Sequence, residues 1–156
     1  MLIPAILKKD EIIKKFQERY YTEELMLEAG CLENFYPNIV DCPDDRTYQY
    51  AIMDRDKLIG YFAYTIDLYA SNVYQFGLIS FDKGNVTIGK DVFTELEKLI
   101  KTYHRIEWRM VGGNPVERSY DRFCDRHNGT KHVFKDVVKD RQGNYRDNVV
   151  YEIIND

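Results

Sequence analysis

A short segment between residues 81 and 90 carries the residue types that bind phosphate groups. It contains two glycines, Gly84 and Gly89, and two lysines, Lys83 and Lys90, and it leads into a stretch with helical periodicity. Glycines let a ligand approach the backbone closely, and the free amides at a helix N-terminus favour an anion. The segment therefore predicts a phosphate or diphosphate site. An ordinary strand-to-helix turn with solvated lysines is the alternative that these residues leave open.

The other candidate ligands and nucleophiles form no complete site. Cys124, His127 and His132 have a spacing that could contribute to metal binding, but a structural zinc site needs a fourth ligand and the neighbouring sequence supplies none. No local motif pairs a serine or cysteine with a histidine base. We therefore predict a protein that binds no metal, and hydrolysis by a nucleophile has no support in the sequence.

Hydrophobic periodicity predicts the elements that must position the 81–90 segment. An early helix begins near Asp10, because apolar residues between Ile12 and Tyr20 recur at helical spacing, and a second short helix follows at residues 22–29. Strands are predicted at residues 48–53, 58–68, 74–81, 106–111, 131–138 and 148–154, and further helices at 88–102 and from Asn114 and Pro115 onward.

The order of these elements predicts the sheet. Strand 74–81, helix 88–102 and strand 106–111 form a β-α-β unit whose strands run parallel. The remaining connections are too short for parallel pairing and predict antiparallel neighbours. The sequence thus indicates an α/β (α+β) protein with a mixed, mostly antiparallel central sheet and flanking helices. In such a sheet a ligand favours the carboxyl end of the strand that feeds a helix, which places the site at residues 82–91.

Length and composition limit the classes of function. The 156 residues suffice for one domain, and 44% hydrophobic and 31% charged residues are typical of soluble globular proteins. The 22 basic and 26 acidic side chains give a net charge of −4, which argues against nucleic acid or a membrane as partner. The longest apolar stretch is far shorter than the ~20 residues of a membrane span, and three cysteines are too few for a disulfide framework. We expect a cytoplasmic protein.

The chain resembles the GNAT N-acetyltransferases in the order of its elements, in the loop and helix at 79–91, and in the segment 114–123. The resemblance extends over residues 8–154. It implies a single GNAT-like domain over residues 1–156, with acetyl-CoA as cosubstrate and acetyl transfer to a primary amine of an unknown small molecule or peptide. It also leaves room for a homodimer. The alternative function is a catalytically weak or inactive GNAT-like module that binds a ligand or a partner.

In the resembled family, one strand pairs with the pantetheine of acetyl-CoA, and the loop and helix that follow hold the pyrophosphate. Gly77 and Ile79 match the pairing strand, and Gly89 matches a glycine of the phosphate loop. Thr87 and Gly84 depart from the family pattern, since they stand where it has a glycine and a glutamine or arginine. The resemblance places ten residues around acetyl-CoA: Gly77, Ile79, Phe81, Gly84, Asn85, Thr87, Ile88, Gly89, Lys90 and Asn114.

Acetyl transfer needs an acid and a base; the resemblance implies the acid, and the predicted placement of acidic residues gives the base. Tyr120 matches the tyrosine that protonates the departing CoA thiolate, and a phenol with a pKa of ~10 still carries its proton at neutral pH and can give it up as the C–S bond breaks. An amine must lose a proton before it attacks, and Glu107 is the candidate base, with Asp82 the other acidic residue near the expected cleft. Three alternatives stay open: Tyr120 as one more buried aromatic, Glu107 as a solvated side chain, and a base that acts through a water molecule.

Two further expectations concern the substrates. The thioester carbonyl oxygen should meet a backbone amide near Ile79. The acidic loop at residues 41–45 precedes the central strands, in a region that borders the acceptor site in the resembled family. Its carboxylates favour a cationic small molecule or a peptide amine as acceptor.

Overall fold

The structure, a computed structural model, describes residues 1–20, 22, 38–41 and 46–155. The strands are β1 (Leu2–Pro4), β2 (Thr47–Asp54), β3 (Lys57–Asp67), β4 (Asn72–Ser80), β5 (Arg105–Val111), β6 (Thr130–Lys139) and β7 (Tyr145–Ile154). The helices are a 3-10 turn (Ala5–Lys8), α1 (Lys9–Arg19), α2 (Val86–Thr102) and α3 (Glu117–Arg126). Within the described ranges, no helix combines the length and the apolar character needed to cross a membrane.

One seven-stranded sheet joins the strands in the order β1-β2-β3-β4-β5-β7-β6. Its adjacent strands run antiparallel except β4 and β5, which are parallel and are connected through α2. The predicted mixed, mostly antiparallel sheet is therefore confirmed. So is the parallel pairing across the β-α-β unit.

The parallel strands β4 and β5 are joined at one end only. Asn72 pairs with Arg105 and Val73 pairs with Ile106, and no further residues of the two strands are paired. Beyond these two pairs the strands diverge toward their carboxyl ends. The divergence leaves one backbone edge on each strand without a neighbouring strand.

A β-bulge marks the point where β4 leaves β5. The register between β3 and β4 shifts between Ala63 and Thr65, and Gln75 on β4 has a φ of 50°, in the left-handed region. A bulge bends its strand and increases the local twist. The left-handed conformation of a non-glycine residue costs of order 1–3 kcal/mol, so the surrounding strands must determine it strongly.

Two hydrophobic layers cover the sheet. On one face, α2 and α3 pack residues such as Leu96 against Trp108 of β5. On the opposite face, α1 packs Phe16 against Ile79 of β4. We call these the α2/α3 face and the α1 face. Each fully buried large side chain contributes about 1.5–3 kcal/mol to stability, so both layers fix the positions of the diverging strands.

Helix α3 begins later than the sequence predicts. Its first residue is Glu117, whereas the prediction placed Pro115 at the first helical position with Asn114 as the cap. Asn114 instead accepts a hydrogen bond from the Val116 amide through its side-chain oxygen at 3.1 Å, and its own carbonyl accepts from Glu117. These bonds form a turn before the helix, because an asparagine side chain stabilises turns as readily as caps.

The predictions before β2 are confirmed only in part. Helix α1 begins at Lys9, so Asp10 lies in its first turn and not at the cap position as predicted. A carboxylate in the first turn interacts favourably with the helix dipole. Residues 23–29 of the helix predicted at 22–29, and the acidic residues at 42–45, lie outside the described residues. Of that acidic loop the structure describes Asp41, which forms an ion pair with Lys9 at 2.7 Å.

Candidate functional site

A cleft of about 930 Å³ fills the space between the diverging strands. Trp108 and Met110 of β5 belong to the core on the α2/α3 face, so Glu107 and Arg109, which alternate with them, lie on the α1 face. All four residues line the cleft, which therefore continues from one face of the sheet to the other. Its volume is in the range of small-molecule sites, roughly 300–1,000 Å³. Two ligands that enter from opposite faces can meet between the strands.

Aromatic rings form the wall of the cleft on the α2/α3 face. Tyr120 is 3% exposed, and its ring meets those of Phe76, Phe93 and Trp108 edge to face at centroid distances of 6.3, 6.1 and 5.9 Å. Such ring pairs contribute about 0.5–1.5 kcal/mol each beyond their buried area. They hold the phenol in one position on the wall.

Trp108 adds a buried hydrogen-bond donor to this wall. Its indole stacks on Tyr151 at 5.2 Å, and its Nε1 is buried with no hydrogen-bond partner among the described residues. A buried donor without an acceptor costs about 1–3 kcal/mol, so unpaired groups are rare in folded proteins. The side chain is therefore placed for ring packing rather than for a hydrogen bond of its own.

Polar side chains line the cleft on the α1 face. Gln49 donates from Nε2 to the Asn38 carbonyl at 2.7 Å and to the Tyr61 hydroxyl at 3.2 Å, and its Oε1 accepts from the Val40 amide at 3.0 Å. These bonds fix Gln49 and the phenol beside it. Burial raises the pKa of Tyr61 to about 12, so its hydroxyl keeps its proton at neutral pH.

Glu107 is held in place by an arginine. Arg105 donates from Nη2 to Oε2 of Glu107 at 2.7 Å, and its guanidinium also contacts Glu152 of β7 at 2.6 Å. The hydrogen bond from Arg105 lowers the pKa of Glu152. The other oxygen of Glu107, Oε1, lies 3.8 Å from Arg109. Glu107 is thus a fixed carboxylate on the α1 face of the cleft.

A side chain of the protein caps part of the α2 N-terminus. Asn85 accepts from the Thr87 amide through Oδ1 at 3.0 Å, and it donates from Nδ2 to Asp54 and Asp82 at 3.3 and 3.2 Å. Lys57 binds Asp82 at 2.9 Å, and hydrogen bonds from Lys57 and Asn85 lower the pKa of Asp82. One amide of the predicted anion site is therefore occupied, and two carboxylates lie beside it.

Two other amides remain at this end of the cleft. Gly84 has a φ of 79°, a left-handed conformation that a glycine adopts at little cost. In the described part of the chain, the amides of Gly84 and Val86 have no hydrogen-bond partner. Both residues line the cleft, as does Gly89, where a side chain would meet only the Phe93 ring at 4.0 Å. The helix start therefore keeps donors and open space for an anion.

The backbone of β4 directs its hydrogen bonds to alternate sides. Phe81 donates its amide to the Ile59 carbonyl of β3 at 2.8 Å. The Ile79 carbonyl also points toward β3, where it lies 2.9 Å from the position that a β-carbon would have on Gly60. Because these directions alternate along a strand, Gly77 also faces β3. The backbone groups of Gly77 and Ile79, which the resemblance predicted to bind pantetheine, are therefore turned away from β5.

The open edge of β4 belongs to the residues in between. Phe76, Leu78 and Ser80 direct their backbone groups toward β5, across the cleft, and all three line it. Arg19 of α1 donates to the Ser80 carbonyl. Phe76 and Leu78 thus form the part of the edge closest to the bulge. The edge that faces the cleft is offset by one residue from the prediction.

The cleft brings together most of the residues singled out in the sequence. Its lining includes Gly77, Gly84, Asn85, Ile88, Gly89, Glu107, Asn114 and Tyr120. Ile79, Phe81, Thr87 and Lys90 are not among the lining residues. Ile79 is buried under α1, with 1% of its surface exposed, and Thr87, which stands where the family pattern has a glycine, does not line the cleft.

Sequence reasoning missed several residues of the cleft, among them Tyr61, Gln75, Trp108 and Arg109. For Arg109 a signal existed, since it stands two residues after Glu107 on a predicted strand and must share its face. Gln75 had none, because the bulge places a residue with no special preference for positive φ in the left-handed region. Tyr61 and Trp108 are indistinguishable in the sequence from other buried aromatics.

The two histidines considered as metal ligands are engaged separately. His127 lies 2.9 Å from Glu97, and His132 lies 3.4 Å from Glu152. Cys124 is a buried free thiol. The described residues contain no group of three or more histidine, cysteine and acidic side chains that could hold a metal ion.

Comparison with known proteins identifies the fold. No family model and no curated protein matches the sequence. Solved structures match over almost the whole chain. A Chromobacterium violaceum protein described as a probable acetyltransferase of the GNAT family has a TM-score of 0.63 at 16% identity, over 99% of this chain and 85% of its own. The chain has the GNAT fold.

Other GNAT-fold matches support the same conclusion. A chimera of the Vibrio cholerae spermidine N-acetyltransferase SpeG and hSSAT has a TM-score of 0.65 at 15% identity, covering 99% of this chain and 94% of its own. The ribosomal-protein-S18-alanine N-acetyltransferase of Escherichia coli has a TM-score of 0.56 at 10% identity, covering 72% and 71%. At these sequence identities the similarity establishes the GNAT fold and does not identify the substrates, which must be argued from the residues of the cleft.

Proposed function

We propose that this protein is an N-acetyltransferase that moves the acetyl group of acetyl-CoA to a primary amine, with residues 1–156 acting as one domain. The observation that carries the proposal is the one-ended pairing of β4 and β5, which opens a cleft through a GNAT-fold sheet and leaves a strand edge unpaired along it. The similar structures named above are described as acetyltransferases, which agrees with this activity.

Acetyl-CoA would enter from the α2/α3 face. The unpaired backbone groups of Phe76 and Leu78 can exchange hydrogen bonds with the two amides of pantetheine, as a strand would. The amides of Gly84 and Val86 and the open space at Gly89 lie at the helix start, where a diphosphate gains from the dipole. The other residues that we assign to this substrate are Gly77, Asn85, Ile88 and Asn114, which line the same cleft.

The chemistry would take place between the two faces. The ammonium of the acceptor gives one proton to Glu107, and its neutral nitrogen attacks the thioester carbonyl carbon. A backbone amide of the open β4 edge, that of Phe76 or Leu78, stabilises the resulting oxyanion. When the C–S bond breaks, the thiolate takes the phenol proton of Tyr120, and a second proton from nitrogen restores the phenol through solvent. The products are the amide, the CoA thiol and one released proton.

A second function is favoured by the capped helix start. Asn85 occupies one amide, and the carboxylates of Asp54 and Asp82 repel a diphosphate placed next to them. A GNAT-fold module that binds CoA weakly, or binds another ligand without acetyl transfer, fits these contacts. The open cleft and the placement of Tyr120 favour the enzyme.

Thermal unfolding with acetyl-CoA, with CoA and with buffer tests the proposal. Binding to the native state must raise the unfolding temperature, so we expect stabilisation by both ligands at about 1 mM. Absence of any stabilisation would remove the enzyme interpretation. Release of CoA thiol in the presence of a panel of amines then tests transfer, and binding without release across the panel would support the module instead.

A further inference from the structure

The α1 half of the cleft contains hydrogen-bond donors that have no acceptor among the described residues. Arg109 lines it, and its guanidinium side chain is 48% exposed. Its ion pair with Glu107, at 3.8 Å, is longer than a hydrogen bond, and the structure gives it no hydrogen bond within residues 46–155 or the other described segments. Glu107 already accepts a hydrogen bond from Arg105 through its other oxygen, Oε2, at 2.7 Å. Arg109 therefore keeps its fork of donors for a ligand.

Gln75 supplies a second set of donors on the same face. The Thr65 hydroxyl donates to Oε1 of Gln75 at 2.9 Å, which fixes the amide orientation. Its Nε2 has no acceptor in the part of the chain that the structure describes. Gln75 lies on the β4 wall and Arg109 on the β5 wall, shortly after the point where the strands part. A ligand between the strands thus meets donors from both sides.

Tyr61 supplies a third donor. Its hydroxyl oxygen accepts from Gln49 at 3.2 Å, while its own proton has no acceptor among the residues described. The side chain is 6% exposed and lines the cleft. A buried hydroxyl without an acceptor is costly, so a ligand oxygen at this place would be stabilising.

From these donors we infer that the acceptor carries a carboxylate, which Arg109 binds with Gln75 and Tyr61 as supporting donors. A planar guanidinium matches a carboxylate with two parallel hydrogen bonds. Glu107 and Arg109 are two positions apart on one strand face, about 6.6 Å along the strand, so amine and carboxylate are separated by a few bonds. The acceptor class is a short amino carboxylate. This inference rests on the proposed acetyl transfer.

The inference departs from the expectation of a cationic acceptor. That expectation came from the acidic loop, of which residues 42–45 lie outside the described residues. A diamine would place its second ammonium against Arg109, and like charges at such a distance disfavour binding. A small molecule with one amine and one carboxylate instead matches Glu107 and Arg109 with a charge of opposite sign at each.

A matched panel of acceptors tests the inference. It contains glycine, β-alanine and 4-aminobutyrate, the carboxamide of each, and the diamine in which an aminomethyl group replaces each carboxylate. Rates are compared at equal concentrations of neutral amine. We expect kcat/KM for at least one amino carboxylate to exceed that of its carboxamide and diamine by about 10- to 100-fold. A diamine or carboxamide that reacts as fast as every carboxylate would overturn the inference.

Variants of Arg109 show whether this side chain causes the preference. In Arg109→Gln the advantage of the carboxylate should shrink to about threefold, while the rate with the carboxamide changes less than about threefold. Arg109→Lys keeps the charge but loses the fork and should lie between the two. Arg122→Gln on α3 removes an exposed arginine outside the cleft and is the matched control. Equal losses with carboxylate and carboxamide would contradict the assignment.

A binding measurement separates this inference from the acetyl transfer on which it rests. Ligand-observed NMR with the protein alone and with CoA reports binding of the same nine compounds without any reaction. We expect an amino carboxylate to bind, and its affinity should be at least tenfold lower for Arg109→Gln. This result is expected even if acetyl-CoA gives no thermal stabilisation. Carboxamides that bind as well as carboxylates, or carboxylates that do not bind at tens of millimolar, would overturn the inference whatever the outcome for acetyl-CoA.

Discussion

The two halves of the cleft are built from different kinds of residue. On the α2/α3 face, Tyr120 and Trp108 are 3% and 1% exposed and are held by ring contacts. On the α1 face, Arg105 holds Glu107 by an ion pair and hydrogen bond, while Arg109 is half exposed and has, among the described residues, only its ion pair with Glu107 at 3.8 Å. Packed aromatic rings hold a reacting group rigidly but do not distinguish ligands by their charge. Charged side chains do distinguish between ligands of different charge. Under the proposed function, the difference assigns chemistry on the thioester to one half and choice of the acceptor to the other.

The largest expected effect comes from the aromatic half. Tyr120→Phe removes the proton that the CoA thiolate would take and keeps the ring contacts, so kcat should fall about 10²- to 10³-fold with little change in CoA affinity. Steady-state kinetics and isothermal titration measure both quantities. Tyr50→Phe removes a phenol that does not line the cleft and should leave kcat unchanged. Full activity of a folded Tyr120→Phe protein would assign this side chain to packing alone.

In the polar half, Glu107→Gln should lower kcat/KM by about 10²-fold at pH values below the amine pKa, because the carboxylate that accepts the ammonium proton is lost. The loss should shrink as the pH rises, since a growing fraction of the acceptor is then already neutral. A pH-rate profile of both proteins measures this. A loss that is the same at every pH would show that Glu107 positions Arg109 or the strand and is not the base.

A smaller effect is expected where the halves meet the helix start. Asp82→Asn removes a carboxylate beside the proposed diphosphate site and frees Lys57, so CoA should bind about threefold more tightly at low salt. Titration at low and high ionic strength measures the change, which salt should reduce. Asp56→Asn, in the turn between β2 and β3, removes an exposed carboxylate and is the control. If Asp82→Asn weakens binding, the Asn85 cap that it supports matters more than its charge.

The smallest effect concerns the support of Glu107. The hydrogen bond from Arg105 lowers the pKa of Glu152 in the folded state, so this carboxylate stabilises the fold above its unfolded pKa of ~4.5, and the stabilisation is lost as the pH falls through the folded value. Glu152→Gln should lower the unfolding temperature by about 2 °C at pH 7, and the difference should shrink as the pH falls below ~4.5. Glu18→Gln, in an exposed pair with Lys15, is the control. A difference that persists unchanged at pH 3 would contradict this origin.

The regular elements were predictable because their periodicity is strong. Val92 and Leu96 recur on one side of α2, and the segments that became β2 to β7 alternate or consist of β-branched and aromatic residues. The function of a residue could not be predicted from the sequence where its type suits two roles. Asn85 could equally cap a helix or contact a ligand, and in the structure it caps α2 by accepting from the Thr87 amide.

The bulge explains why the open edge of β4 was misplaced by one residue. An extra residue at Gln75 reverses which side of the strand each later backbone group faces, and nothing in the local sequence marks it. For the same reason the donors around Arg109 could not be assembled in advance. They come from three strands whose divergence depends on that bend and on packing at both faces.

At the closed end of the cleft, one side chain links three strands in addition to the backbone pairing of β4 with β5. Arg105 donates to Asn72 of β4 at 3.1 Å, to Glu107 of its own strand and to Glu152 of β7, while its amide bonds the Ser71 carbonyl. It lies where the parallel strands β4 and β5 meet. A small change in the angle between the two strands at this point would produce a larger change in their separation farther along the cleft, and so would alter the fit of the proposed thioester and acceptor together. Adaptation to a new pair of substrates can therefore begin at a residue that touches neither.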